Sequence, residues 1–189
     1  MEKNNSKSAL RNIVLAAVFA AMTFVLTYFV KVPSHNGYIH LGDAMIYLAA
    51  SLLPTPYAML SAAIGGMLSD AIGGYTMYII PTFIIKALLV PAFTSKKKDI
   101  VNVRNSIAVV IGAAITIVGY YIAEAVIVSI SSTANFSQFV SYIFSSVPWV
   151  GTVYCLAGNL VQAIGSAIVY FLLGMALDKI NFKSKIRSF

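Results

Sequence analysis

Charge is what this sequence has least of. Lys, Arg, Asp and Glu together make up 10% of its 189 residues, against about 25% in an ordinary soluble domain. Cysteine is nearly absent. The single Cys155 falls within a predicted helix, which excludes an intrachain disulfide and a thiolate metal cluster. Histidine is limited to His35 and His40, too few for a His-rich metal site. There is no G-xxxx-G-K-[ST] loop, so ATP hydrolysis by that route is excluded, and neither H-E-x-x-H nor C-x-x-C occurs. No catalytic residue and no metal ligand is assigned on these grounds.

What is present is apolar. Hydrophobic residues reach 59%, mean hydropathy is +0.85, and several runs approach the ~20 residues that cross a hydrocarbon core as helix. The expected class is an all-α, multi-pass membrane protein forming one domain over 1–189. The N-terminal run (about Ile13 to Val30) is long for a signal-peptide core, and "KVPSHNGY" after it lacks an A-x-A site, so it is read as a retained helix.

Six spans are expected: about Leu10–Val30, Leu41–Leu53, Tyr57–Ile72, Tyr78–Phe93, Ser106–Ile130 and Trp149–Leu177. The second is too short to cross upright and is expected to be tilted or buried by its neighbours. The formal charge of +7 sits in short clusters at the N-terminus, in the loop Ser95–Arg104 and in the tail. That distribution marks membrane orientation rather than a nucleic-acid partner. A six-helix bundle with both termini cytoplasmic, residues about 1–9 and 178–189, puts every Lys and Arg inside except Lys31 and Lys86. Lys31–His40, Gly73–Met77 and Ser131–Pro148 are then outside, the last an interfacial helix or a lid.

Ionisable groups inside a span are costly and mark functional sites. At 1.5 Å per residue, Lys86 lies roughly 12 Å, Glu124 roughly 9–10 Å and Asn159 roughly 15 Å below the outer end of its span. Gln162 is one turn deeper than Asn159, on the same face. His40, Asp43 and Asp70 lie within roughly 5 Å of the outer edge. Shared depth points to one polar cavity opening outward. Structural roles compete at each position. Lys86 and Glu124 could form an ion pair, and Asp43 could cap the second helix or neutralise His40. Asp70 could tie a turn at Gly73–Gly74, and Asn159 with Gln162 could bind helices together. The aromatics Tyr75, Tyr78, Tyr120, Tyr121 and Trp149 are, taken singly, belt or packing residues. Tyr38, Tyr78, Tyr121 and Trp149 join the candidate contacts. The first helix is set apart as carrying no polar group in its span. It carries instead two A-xxx-A ridges, Ala16/Ala20 and Ala17/Ala21, suited to close helix contact within the chain or with another subunit.

The run from "GYIHLGDAMIYLAA" through "GGMLSDAIGGYTMYIIPTFIIKALL" resembles the substrate-binding membrane subunits (S components) of energy-coupling factor (ECF) vitamin transporters, in particular their riboflavin-transporter-like branch. The likeness is most specific over Gly37–Leu89. It implies a six-helix subunit in a prokaryotic cell membrane that binds one water-soluble vitamin or precursor near the outer surface. The first outer loop, here Lys31–His40, would close over the ligand, and Lys86, Glu124 and Asn159 match its contact positions. The alanine ridges match the family's docking face. The partners implied are a membrane coupling subunit and two ATPase subunits that carry the ATP and magnesium, so this chain holds no cofactor. Release would follow toppling of the loaded subunit. Residue types favour pyridoxine (vitamin B6) or hydroxymethylpyrimidine over riboflavin as ligand. The alternative from another class is a small membrane enzyme using Asp43, Asp70 and His40.

Overall fold

The computed structural model describes residues 2–33 and 38–188. His35 and the tip of the first outer loop, residues 34–37, lie outside the described residues. The chain is almost wholly helical. Helix α1 spans Glu2–Tyr28 and leads into a small antiparallel hairpin of β1 (Lys31–Pro33) and β2 (Tyr38–His40), paired Lys31 to His40 and Val32 to Ile39. The sequence suggested only a loop here. Helices α2 (Gly42–Leu52), α3 (Thr55–Gly73) and α4 (Ile79–Leu89) follow, then α5 (Val103–Ser132), α6 (Phe136–Ile143), α7 (Val147–Gly151), α8 (Val153–Lys179) and α9 (Phe182–Ser188).

The punctuation follows local chemistry. Pro54 and Pro56 break the chain between α2 and α3, with Pro56 in the first turn of α3, where a missing N–H costs no helical bond. Gly74 ends α3 in the left-handed conformation at φ 83°, its N–H returning to the Asp70 carbonyl. Asn102 and Asn135 cap α5 and α6, their side chains accepting from Asn105 N and Gln138 N.

Three helical stretches are long and apolar enough to cross a membrane: Ser6–Tyr28, Val103–Ser132 and Val147–Lys179. Between them lie α2 and α4, each of 11 residues, and α3, of 19. The short α2 spans only about 16 Å, and its position explains how so apolar a helix can be so short. Every residue of α2 is buried, for it packs against α1, α3, α4 and α8 at the centre of the bundle. Around it α1 lies on α3, α3 on α4, α4 on α5 and α5 on α8. Met45, Tyr47, Leu48, Leu52, Phe93 and Tyr170 anchor the core, and the Tyr47 and Phe93 rings stack at 5.2 Å.

Close helix contact depends on small residues. A Cβ at Gly65 would meet the Ala20 carbonyl at 2.6 Å, and one at Gly66 would meet the Lys86 stem at 2.9 Å. The end of the bundle near the α2 C-terminus is tied by polar groups. Asp178 accepts from Ile100 N at 2.7 Å and Val101 N at 2.9 Å, and Asn105 accepts from Thr94 N at 2.8 Å. Phe182 and Ile186 of α9 pack on the core, so the basic tail is in part a docked helix. In 131–148, α6 exposes Phe136, and Phe144 just beyond it is 86% exposed.

Candidate functional site

At the other end, where α2 begins, a cavity of about 80 Å³ opens between β2, α3, α5 and α8. Tyr38 and His40 come from the hairpin, Asp70 from α3, Tyr120 and Glu124 from α5, and Asn159 and Gln162 from α8. Tyr75 and Tyr78 come from the turn before α4. Ile39, Tyr154, Cys155 and Gly158 complete the wall.

Two carboxylates are held at this cavity by phenols. Tyr38 donates to Asp70 Oδ1 at 2.7 Å, and Tyr78 donates to Glu124 Oε2. Burial, with the Asp70 carboxylate next in effect, pushes the Tyr38 hydroxyl far above the usual phenol range, so it stays a donor. The Tyr38 and Tyr75 rings lie 4.9 Å apart, and Lys31 stands 4.5 Å from the Tyr28 ring centre and 5.0 Å from that of Tyr38. Tyr120 shares a 3.0 Å hydrogen bond with Thr82.

His40 is buried, and its Nδ1 accepts from Gly42 N at 3.1 Å with the Thr27 hydroxyl 3.5 Å away. Burial, reinforced by the nearby Lys86 charge, pushes its pKa down to about 3, so the ring is neutral. An accepting Nδ1 leaves the proton on Nε2. The hairpin is anchored below as well, since His40 N donates to Gln162 Oε1 at 3.4 Å.

Behind the cavity wall lies an ion pair. Lys86 Nζ meets Asp43 Oδ1 at 2.6 Å, both side chains essentially inaccessible, and Gln162 Nε2 donates to Asp43 Oδ2 at 3.0 Å. This corrects two structural expectations. Lys86 pairs with Asp43 rather than Glu124, because the buried α2 presents a carboxylate directly to α4. Asp43 also makes no side-chain cap, since both its oxygens are already engaged.

Of the ten candidate contact residues, Tyr38, His40, Tyr78, Glu124, Asn159 and Gln162 come together on the cavity wall. Asp43 and Lys86 stand behind it. Tyr121 and Trp149 pack on each other at 5.6 Å, with Tyr121 donating to the Trp149 carbonyl and Trp149 Nε1 to the Ile143 carbonyl. They brace α5 against the α6–α7 turn. Asn159 Nδ2 turns back to the Cys155 carbonyl at 3.0 Å, while Gln162 bridges α8 to α2 and β2. The turn after α3 is closed by the Asp70 backbone carbonyl, leaving its carboxylate at the cavity, where Tyr38 donates to it. Helix α1 does carry polar groups in its span, although none of its described residues lines the cavity. Thr23 and Thr27 are buried, and Thr27 reaches His40. The residues overlooked on α8 carried a signal, because Cys155, Gly158, Asn159 and Gln162 follow i, i+3, i+4, i+7 spacing.

The ECF-type riboflavin transporter S component model matches residues 7–179. The chain belongs to that family. Its members are transporter subunits rather than enzymes, and the match takes in all six apolar segments and the cavity end of the bundle. No curated protein matches the chain.

Proposed function

We propose that this chain is the ligand-binding subunit of an ECF importer for a small water-soluble vitamin or vitamin precursor. The observation that carries the reading is a tyrosine-lined cavity with placed hydrogen-bonding groups, inside a chain that belongs to the S-component family. Flat heteroaromatic rings suit such walls. Stacking on Tyr75, Tyr78, Tyr120 or Tyr154 would supply affinity, and the carboxylates, amides and His40 would fix orientation.

In this reading the chain makes six crossings of a prokaryotic cell membrane with both termini cytoplasmic, and the hairpin covers the ligand from outside. A coupling subunit and two ATPase subunits supply ATP and magnesium, and the loaded subunit topples to release its cargo inside. Ala17 and Ala21 are exposed on α1, which supports a docking role for that ridge. Pyridoxine or hydroxymethylpyrimidine is the preferred ligand. Riboflavin is the second reading, favoured by the description of the family. The enzyme alternative is weakened by geometry, since Asp43 is engaged by Lys86 and His40 Nδ1 by Gly42.

Native mass spectrometry of the purified chain tests this. A retained pyridoxine or hydroxymethylpyrimidine mass is expected, and a retained flavin would select the second reading. A chain that carries no vitamin and binds none of the three in titration would overturn the assignment. ATP-independent accumulation by the chain alone in liposomes would overturn the dependence on partners.

A further inference from the structure

The charges around the cavity do not balance. Asp70 and Glu124 both line it and both are buried, 5% and 4% exposed, yet no Lys or Arg is among the lining residues. Among the described residues neither has a basic side chain within ion-pairing distance. The nearest buried cation, Lys86, lies 5.1 Å from the Tyr120 ring centre and is paired with Asp43 at 2.6 Å, so its charge and that of Lys31 reach Asp70 only through space. Lys31 stays at the rim over Tyr28, Tyr38 and Tyr75. Asp70 Oδ1 is taken by Tyr38, and the Thr82 hydroxyl also bears on the carboxylate, but Oδ2 is buried with no hydrogen bond of good geometry. A buried carboxylate oxygen left this way is costly unless something arrives to donate to it.

We propose that the ligand presents a cationic or hydrogen-donating edge, such as a protonated ring nitrogen, an amino group or hydroxyls, to Asp70 and Glu124. The same two carboxylates bar the phosphorylated or carboxylate-bearing forms of the same compounds. The neutral His40, with its proton on Nε2, adds a donor for one ligand acceptor but no positive charge. Charge-assisted hydrogen bonds to carboxylates are stronger than neutral ones, and an anion brought beside two of them meets like charge in a site shielded from water. The inference rests on the reading of the cavity as a vitamin site, and it assigns which chemical form that site accepts.

Matched pairs test it on the purified full-length chain by calorimetric titration: pyridoxine with pyridoxine 5′-phosphate, hydroxymethylpyrimidine with its monophosphate, and riboflavin with flavin mononucleotide. Whichever parent binds, its phosphate ester is expected to bind at least about a hundredfold more weakly. The double variant Asp70→Asn/Glu124→Gln should weaken the parent and shrink that gap to about tenfold or less. Glu124→Gln alone, which keeps an acceptor for Tyr78, should shrink it partway and serves if the double variant does not fold. An ester that binds wild type as well as its parent would overturn the proposal, as would a gap that neither variant changes, since size alone would then explain it. Binding of none of the parents would overturn the vitamin-site reading itself, a separable failure.

Discussion

Lys86 and Asp43, 43 residues apart in sequence, meet at 2.6 Å in the middle of the bundle with 1% and 0% of their side chains accessible. Together they join α4 to α2, and Gln162 extends the connection to α8 and, through His40, to the hairpin. Burying either charge alone would be prohibitive, so the pair is a unit. Lys86→Met or Asp43→Leu alone should cost about 3–5 kcal/mol by leaving one buried charge uncompensated. The double variant Lys86→Met/Asp43→Leu should recover much of that loss. Thermal melts of the four proteins in detergent form the cycle. Additive losses would mean that the two side chains are not coupled.

The closeness of α1 to α3 yields a steric prediction. Gly65→Val puts branched carbons where a Cβ would already stand 2.6 Å from the Ala20 carbonyl and 2.8 Å from Thr23 Cβ. These are backbone and a buried stem, not a flexible tip that can swing aside. A loss of about 1–3 kcal/mol is expected. Gly74→Ala is strained for a different reason, its φ of 83°, with open space around it. It should cost only about 1 kcal/mol. Comparing melts of the two variants separates packing from backbone strain, and an undisturbed Gly65→Val would refute the tight α1–α3 contact.

His40 gives the chain an acid sensitivity whose sign is fixed. Its folded pKa, pushed down to about 3, lies below the ordinary value of 6.5. The unfolded chain therefore takes up the proton first, and the contribution of His40 to stability is full above about pH 6.5 and lost progressively as pH falls toward 3. His40→Asn, whose side-chain oxygen can still accept from Gly42 N, removes that titration. Melting temperature plotted against pH should be flatter for the variant than for wild type between pH 6.5 and about 4.5. Parallel curves would show that His40 is not the group responsible.

How far the sequence carried this picture can be read from α2 and α8. Apolar run length found α2 and marked it as too short, and burial on every face explains why it is apolar all round. Depth counting brought His40, Glu124, Asn159 and Gln162 to one end of the bundle, because a helical rise converts residue number to height directly. It could not give the angle about each helix axis. That angle decides that Lys86 turns toward Asp43 while Glu124 meets Tyr78, so depth alone left a Lys86–Glu124 pair open that the packing does not make. The hairpin at Lys31–His40 was invisible for another reason. Strands of three residues leave no periodicity to detect, and the ladder depends on Tyr38 and His40 being held from outside the hairpin by Asp70 and Gln162.

The two alanine ridges of α1, identical as sequence patterns, differ in the folded chain and should respond differently to the same substitution. Ala16 packs partly against the core, whereas Ala17 and Ala21 are exposed. Ala16→Leu overfills a packed contact and should lower the stability of the isolated subunit by about 1–3 kcal/mol. Ala17→Leu faces outward and should leave both melting temperature and vitamin affinity close to wild type, within about 0.5 kcal/mol. If the exposed ridge is where the coupling subunit seats, the added isobutyl group holds the helices apart there. Co-purification with the coupling subunit and ATPases should then fall, along with ATP-dependent uptake. Loss of vitamin binding in Ala17→Leu with assembly intact would place the ridge inside the bundle instead. Normal assembly and uptake would remove it from the docking surface.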